Sequence, residues 1–221
     1  MAKTPSYRLP GLTHRHTIFG RTGSGKTQYG AWMLSEAGFD RQPFVIVDYK
    51  RDELLNSCAY IREIGLNEVP KQAGLYIVHP SVNDSDGVED WLWRVHGRGN
   101  VGLYVDEGYM VPDKGAMRAI LTQGRSKHIP MTILTQRPVW VTRFAVSEAD
   151  FYTVFTLNSG RDQKVIEDFL PRGALDDRLS KYHSRWYDVS EDVLLTVGPV
   201  PEADVIIERF YDRLEPKRRE L

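Results

Sequence analysis

The chain has 221 residues, of which 41% are hydrophobic and 27% are charged, and its formal net charge is −1. This length and composition are typical of a globular protein with a hydrophobic core, and they exclude extensive disorder. The near-zero net charge excludes a global basic field that would attract nucleic acid, although a local basic loop or pore needs only a few cations.

Two further features bear on where the chain works. Its single cysteine, Cys58, has no partner for an internal disulfide bond, so we expect a buried thiol in a reducing cytosol. No apolar run approaches the ~18 residues that a membrane-spanning helix needs. Residues 1–16 contain no apolar segment typical of a secretory signal. We therefore expect any membrane role to come through partners.

Short apolar runs alternate with longer helical segments as far as residue 170. This alternation predicts a parallel sheet with crossover helices on its faces. In chain order, the predicted strands are residues 17–19, 44–47, 75–78, 101–105, 131–135 and 151–157. The predicted helices are residues 26–37, 88–96, 114–123 and 162–169, the second with Trp91, Leu92 and Val95 on its inner side.

From residue 182 the pattern changes to an antiparallel addition. Residues 184–189 and 193–197 are predicted to form a hairpin, and residues 205–214 a terminal helix before a charged end. There is no linker-like segment, internal repeat or low-complexity run. We therefore expect one α/β domain over residues 1–221, with its core at about 15–170 and the hairpin and helix at 182–214.

The sequence GRTGSGKT is a full match to the phosphate-loop pattern G-x-x-x-x-G-K-[ST]. It lies between a predicted strand and a predicted helix, so its backbone N–H groups can turn towards phosphate oxygens at the positive end of that helix. We expect Lys26 to reach the β- and γ-phosphates of ATP and the Thr27 hydroxyl to bind Mg²⁺. A chance glycine-rich turn is the alternative. The whole predicted phosphate site comprises Gly20, Arg21, Thr22, Gly23, Ser24, Gly25, Lys26, Thr27 and Gln28.

Two acids follow the predicted strand at residues 101–105, in the sequence VGLYVDE. We predict Asp106 as a Mg²⁺ partner and Glu107 as the general base that polarises the attacking water. The alternative is that both acids only end a strand. Their position about 80 residues after the phosphate loop favours the catalytic interpretation.

A polar amide, Gln136, ends the strand in MTILTQ. There it can lie between the metal site and the γ-phosphate and sense hydrolysis. An ordinary strand end before the turn at Arg137 and Pro138 is the alternative. The order of this element after the other two favours the sensor.

Together, GRTGSGKT, FVIVDYK, VGLYVDE and ILTQRP resemble the FtsK/HerA superfamily of ring-forming ATPases. Within it, the chain is most similar to the small genome-packaging ATPases of tailless, internal-membrane double-stranded DNA viruses. The resemblance covers roughly residues 15–170. It departs from FtsK and HerA in having no room for their extra domains, and from the filamentous-phage assembly proteins in having no transmembrane segment of its own.

The resemblance implies a RecA-like P-loop NTPase fold of the ASCE type with a mostly parallel sheet, and assembly into a homo-oligomeric ring, a pentamer or hexamer. It implies ATP-driven movement of double-stranded DNA into a preformed capsid, in contact with portal or vertex proteins, in the host cytoplasm or at the packaging vertex of the virion. Asp48 and Lys50 match the family's second-strand D-x-K element, and Gln136 matches its sensor. Arg125 is the first candidate for an arginine finger that reaches a neighbour's γ-phosphate, ahead of Arg161 and Arg143.

DNA contacts in such a motor should be made by cations in loops and should be directed at phosphates. The candidates are Lys114, Arg118, Lys127, His128 and Arg143, each of which has an ordinary solvated charge as its alternative. Among the tryptophans, Trp91 and Trp186 are predicted to lie in the core, and Trp140 is the most open to a functional role.

Three other functions remain open from the sequence. One is a conjugative coupling or filament-extrusion ATPase, and another is a slow nucleotide-dependent switch or scaffold. The third is a small-molecule kinase, which would need a lid and a phosphoryl-acceptor site.

Overall fold

In the computed structural model, which describes residues 7–215, nine strands form one sheet with helices on both faces. The strands are β1 (Arg15–Phe19), β2 (Pro43–Val47), β3 (Arg62–Glu63), β4 (Gly74–Val78), β5 (Gly102–Val105), β6 (Met131–Thr135), β7 (Phe151–Val154), β8 (Ser184–Asp188) and β9 (Val193–Val197). The helices are α1 (Lys26–Ser35), α2 (Ser85–Arg98), α3 (Gly115–Gln123), α4 (Arg143–Ser147), α5 (Gly160–Glu167) and α6 (Ala203–Leu214).

The strand order is β3-β4-β2-β5-β6-β1-β7-β8-β9. All pairs from β3 to β7 are parallel, whereas β8 pairs with β7 and with β9 in antiparallel fashion. The prediction of a mostly parallel sheet with a C-terminal antiparallel hairpin is therefore confirmed. The order also brings the carboxyl ends of β1, β5 and β6 to one edge, where α/β sheets bind their ligands.

The core has two layers, one on each face of the sheet. Successive residues of β2 show this directly, because Val45 packs into the cluster with α2 and α3, and Ile46 into the cluster with α1 and α6. Parallel strands buried on both faces are continuously apolar, as β2 is.

Helix α2 shows how the sequence sets a buried face. Its buried residues Val88, Trp91, Leu92 and Val95 follow the spacing of one helix face. The Asp84 carboxylate accepts a hydrogen bond from the Gly87 N–H and caps the helix start. The predicted burial of this face is confirmed, as is the burial of Cys58 and Trp186.

The differences from the predicted elements are local. Strand β3, helix α4 and two 3₁₀ turns, Gly108–Met110 and Pro138–Trp140, were not predicted, because elements this short show no periodicity. Helix α1 ends at Ser35, earlier than expected. Most of the predicted charged end, residues 216–221, lies outside the described residues. No helix within residues 7–215 combines the length and the apolar character needed to cross a membrane.

Candidate nucleotide site

The phosphate loop connects β1 to α1 and is fixed by the strands on either side. The Gly20 N–H donates to the Thr135 carbonyl of β6 at 3.2 Å, and the Arg21 N–H donates to the Thr156 carbonyl after β7 at 3.1 Å. Gly23 and Gly25 have φ of 74° and 93°, in the left-handed region that glycine adopts without strain. The loop therefore has the backbone that the sequence motif predicts.

Lys26 is the first residue of α1 and is buried. Its Nζ atom lies 4.0 Å from Oε1 of Glu107. Burial lowers the pKa of Lys26, and the nearby Asp106 and Glu107 carboxylates oppose that shift. The phosphate-loop lysine and the acids at the end of β5 thus form one cluster, although 80 residues separate them in the chain.

Asp106 and Glu107 are each 1% exposed. Burial raises the pKa of Asp106 to about 6, while the charge of Lys26 opposes that shift. Within residues 7–215, Oδ1 of Asp106 and Oε2 of Glu107 have no hydrogen-bond partner. A buried carboxylate oxygen with unused lone pairs is the kind of hard ligand that Mg²⁺ prefers, so Asp106 fits a metal ion beside the phosphate loop.

The backbone of Glu107 is in the left-handed region, at φ 59° and ψ 61°. A non-glycine residue held there costs about 1–3 kcal/mol, and such residues concentrate at functional sites. The next residue, Gly108, lies so close to β6 that an added Cβ would come within 2.3 Å of Ile133 Cγ2. This tight approach fixes the turn that directs the Glu107 side chain.

Gln136 connects the three sequence motifs. Its Nε2 atom donates to Oε1 of Glu107 at 2.7 Å, and its Oε1 atom accepts a hydrogen bond from the Thr22 hydroxyl at 2.5 Å. A change in the phosphate loop at Thr22 can therefore reach Glu107 through one side chain. The role of Gln136 as a sensor stays a prediction.

The D-x-K element after β2 contributes a cation to the same cluster. The buried Asp48 carboxylate accepts hydrogen bonds from the Lys50 N–H at 3.0 Å, the Asp52 N–H at 2.9 Å and the Asn56 side chain at 2.8 Å. These bonds shape the loop so that the Lys50 ammonium contacts Oε1 of Glu107. Burial acts to lower the pKa of Lys50, but the contact with Glu107 outweighs it and raises the pKa.

Asp48 and Lys50 therefore have different roles in this structure. Asp48 accepts the hydrogen bonds that shape the loop after β2, whereas Lys50 places a positive charge beside Glu107. Sequence reasoning identified both positions but missed the contact of Lys50 with Glu107, since that contact depends on β2 and β5 being neighbours.

Arg125 lies at the opposite edge of the sheet from its own phosphate loop. Its guanidinium contacts Asp150 at 2.5 Å, and Asp150 also binds Arg15 at the start of β1. These residues mark the amino ends of β1 and β7, whereas the phosphate loop follows the carboxyl end of β1. An arginine finger acts on a neighbouring subunit, so the role of Arg125 stays a prediction.

The candidate DNA contacts lie on α3, on the segments that flank it and, for Arg143, at the start of α4. Lys114 pairs with Asp86 at 2.6 Å and Arg118 with Asp113 at 3.6 Å, and all four side chains are substantially exposed. His128 and Arg143 are exposed and Lys127 is partly exposed. Exposed ion pairs of this kind are weak and do not prevent contact with a polyanion. DNA binding by these residues also stays a prediction.

Trp140 is 59% exposed. The Arg137 guanidinium lies 4.4 Å from the centre of its ring, and Tyr109 contacts it edge-on at 5.7 Å between ring centres. Both residues that contact Trp140 lie close to site residues in the chain. Tyr109 comes two residues after Glu107, and Arg137 comes one residue after Gln136. Trp140 therefore contacts the turns that carry Glu107 and Gln136.

Comparison with known proteins supports the interpretation of this cluster as a nucleotide site. The DNA packaging ATPase P9 of Enterobacteria phage PRD1 is 42% identical over an alignment of 215 positions, which covers 92% of this chain and 94% of P9. No family model matches the chain.

Two groups of solved structures share the fold. The genome packaging NTPase B204 of Sulfolobus turreted icosahedral virus 2, in complex with ATP-gammaS, aligns with a TM-score of 0.69 at 19% identity over 86% of this chain and 99% of B204. The pCW3 conjugation coupling protein TcpA aligns with a TM-score of 0.59 at 13% identity, over 89% of this chain and 64% of TcpA. The RecA-like fold is thereby confirmed, and the extent and identity of the match to P9 show that this chain belongs to the family of viral DNA packaging ATPases.

Proposed function

We propose that this chain is an ATP-hydrolysing motor that moves viral double-stranded DNA into a preformed capsid. The observation that carries the proposal is the cluster of Lys26, Glu107 and Gln136 at one edge of the sheet, beside a phosphate loop of the required backbone. The membership of P9, a DNA packaging ATPase, in the same family supports DNA as the cargo.

In the proposed mechanism, the loop amides and Lys26 hold the phosphates of ATP. The Thr27 hydroxyl and the Asp106 carboxylate would hold Mg²⁺, which neutralises charge on the phosphate oxygens when bound. Glu107 orients the attacking water and accepts its proton at Oε2, the carboxylate oxygen that has no hydrogen-bond partner within residues 7–215. Gln136 holds the other oxygen and responds to the phosphates through Thr22.

Lys50 adds a restraint to this mechanism. Its ammonium contacts Oε1 of Glu107, so a positive charge lies beside the proposed base. This ion pair holds Oε1 of Glu107 in one position. We infer that Glu107 becomes fully active only when Lys50 moves away from it, for instance towards the charge on ATP.

The remaining parts of the proposal concern the assembly. The chain forms a homo-oligomeric ring, a pentamer or hexamer, in which Arg125 completes a neighbour's site. Lys114, Arg118, Lys127 and Arg143 contact DNA phosphates, and the ring docks on portal or vertex proteins of the capsid inside the host cell.

The experiment that tests this function is steady-state phosphate release from Mg-ATP with and without linear duplex DNA, over a range of salt concentrations. We expect stimulation by duplex of any sequence and a steep loss of stimulation as salt rises, because phosphate contacts depend on counterion release. Lys26→Ala is the matched control and should show no turnover with or without DNA. Hydrolysis that no duplex stimulates would contradict the motor and would favour the slow switch.

A further inference from the structure

The geometry of the site determines on which side of the phosphate loop the nucleoside end of a bound nucleotide lies. The two acids and Gln136 follow β5 and β6, which lie on one side of β1. The terminal phosphate must face these groups if Glu107 is to activate water against it. The nucleoside end therefore extends to the other side of β1, towards β7 and β8. This step rests on the proposed function.

A small cavity of about 110 Å³ lies on that side, next to the loop. Four segments that are distant in the chain contribute to it: the start of α1, the end of β7, the residue pair before β8 and the segment between β9 and α6. Its lining includes Gly25, Gln28, Phe155, Tyr182, Val200 and Glu202. The cavity thus begins at the phosphate loop itself and is apolar along much of its wall.

Tyr182 is the most exposed aromatic side chain of the lining, and the Lys181 ammonium lies 4.7 Å from the centre of its ring. Tyr182 is 45% exposed, whereas Phe155 is 3% exposed. Its backbone is held in the left-handed region at φ 62°, and its Cδ1 atom would lie 3.2 Å from a Cβ added to Gly25. A non-glycine residue in this conformation needs support from its surroundings, and such positions concentrate at ligand sites.

The segment before α6, which forms another part of the lining, is hydrogen-bonded to the phosphate-loop helix. The Gln28 side chain donates a hydrogen bond to the Pro201 carbonyl at 2.7 Å, which ties the segment before α6 to the first turn of α1. The prolines at 199 and 201 fix the backbone dihedral φ of that segment. Val200 lies between these two prolines and lines the cavity.

We propose that this cavity binds the purine base of the nucleotide, with Tyr182 as the stacking residue and Val200 as its apolar neighbour. Stacking on an aromatic ring uses the face of the base, which all bases share. The cavity therefore supplies affinity for adenine and guanine nucleotides alike, and the phosphate loop supplies the rest.

The test is calorimetric titration of the full chain with three ligands: ADP, GDP and inorganic tripolyphosphate, which has phosphates but no base. In Tyr182→Ala we expect the Kd for ADP and for GDP to rise about 5- to 100-fold, the range that loss of one base–aromatic contact produces. The Kd for tripolyphosphate should stay at the wild-type value, which also shows that the phosphate loop is intact.

Two variants serve as controls. Tyr182→Phe keeps the ring and should keep the wild-type affinity for ADP. Trp93→Ala removes another side chain that is 45% exposed, on α2, and should change none of the three affinities.

The outcomes separate this inference from the proposed function. An unchanged Kd for ADP in Tyr182→Ala, or an equal loss for ADP and tripolyphosphate, would overturn the base site. Undiminished tripolyphosphate binding in Lys26→Ala would overturn the phosphate site and the proposed function with it.

Discussion

Glu107 is the residue on which the proposed mechanism of ATP hydrolysis depends most. One carboxylate oxygen is contacted by Lys50 and Gln136, and the other has no partner among the described residues. Its left-handed backbone and the glycine that follows it direct the side chain towards Lys26. One oxygen is therefore restrained by its contacts, and the other keeps unused lone pairs that can accept a hydrogen bond from water.

Replacing Lys50 tests the restraint. In Lys50→Met the ion pair with Glu107 is lost. We expect ATP hydrolysis without DNA to rise about 2- to 5-fold, because an ion pair whose lysine is half-exposed is worth up to about 1 kcal/mol. Stimulation by DNA should shrink by a similar factor. Lys71→Met, at an exposed lysine on another segment, is the matched control. A lower basal rate in Lys50→Met would instead show that Lys50 supports the reaction.

His16 makes the stability of the fold depend on pH. It is fully buried on β1 with Nε2 at 2.8 Å from the Thr153 hydroxyl, and burial lowers its pKa to about 3. In the unfolded chain His16 binds a proton near pH 6.5, whereas in the folded chain it stays neutral at that pH. The stabilisation of the fold by neutral His16 is therefore fully present above pH 6.5 and is lost as the pH falls towards its folded-state pKa. We expect a loss of about 2 kcal/mol in the free energy of unfolding at pH 5.

Urea unfolding at several pH values measures this effect. In His16→Gln the slope of stability against pH between 5 and 6.5 should be shallower than in the wild type, whatever the variant's stability at neutral pH. An unchanged slope would mean that His16 does not remain neutral in the folded chain.

At the residue scale, sequence patterns identified the reactive groups but not their partners. The phosphate-loop residues, Asp106, Glu107, Gln136 and Lys50 were recognised from motifs, because each motif is local. The contacts between them were not predictable without the order of the strands. Tyr182 carried no local signal at all, since its position at the loop depends on how the C-terminal hairpin joins β7.

Helix α1 carries the phosphate-binding lysine and packs directly on the sheet. At Gly30 an added Cβ would lie 2.5 Å from the Tyr104 hydroxyl and 2.8 Å from Leu134 Cδ2. This approach brings α1 close to the strands that end in the acids and the sensor. The helix position, and so the position of Lys26, depends on the absence of a side chain there.

Gly30→Ala should therefore destabilise the chain by about 1 kcal/mol, because overpacking by about 1–3 kcal/mol exceeds the gain of up to about 1 kcal/mol in helix propensity. Adding Tyr104→Phe removes the closest atom and should restore most of that loss. Chemical denaturation of both variants measures the difference. A double variant no more stable than Gly30→Ala would contradict this packing.

At the element scale, the long buried strands and amphipathic helices were predictable because their periodicity is repeated over several residues. Strand β3 has two residues and α4 has five, which is too few for a pattern to emerge. The strand order was not predictable either, since β1 lies between β6 and β7, far from it in the chain.

The whole molecule places Arg125 and the phosphate loop at opposite edges of one sheet. Arg125 is bound to Asp150 and is 62% exposed, so it is available to a second subunit. Within one chain it cannot serve its own site. If it serves a neighbour's, two different inactive subunits should complement each other in a mixed ring.

Mixing Arg125→Ala with Glu107→Gln tests this arrangement. An Arg125→Ala subunit keeps its own acid and receives an arginine from a Glu107→Gln neighbour. We expect each variant alone to be inactive and the mixture to recover measurable phosphate release. Full activity of Arg125→Ala alone would remove this arginine from the site, and Arg161 would be the next candidate.

The central claim is that the phosphate loop binds ATP while Glu107 activates the water that cleaves it. The most direct measurement compares ATP-gammaS affinity and Mg-ATP turnover in wild type and Glu107→Gln. We predict unchanged affinity for ATP-gammaS and a turnover lower by about 10²- to 10⁴-fold, the usual contribution of a general base. Wild-type turnover in Glu107→Gln would contradict this claim.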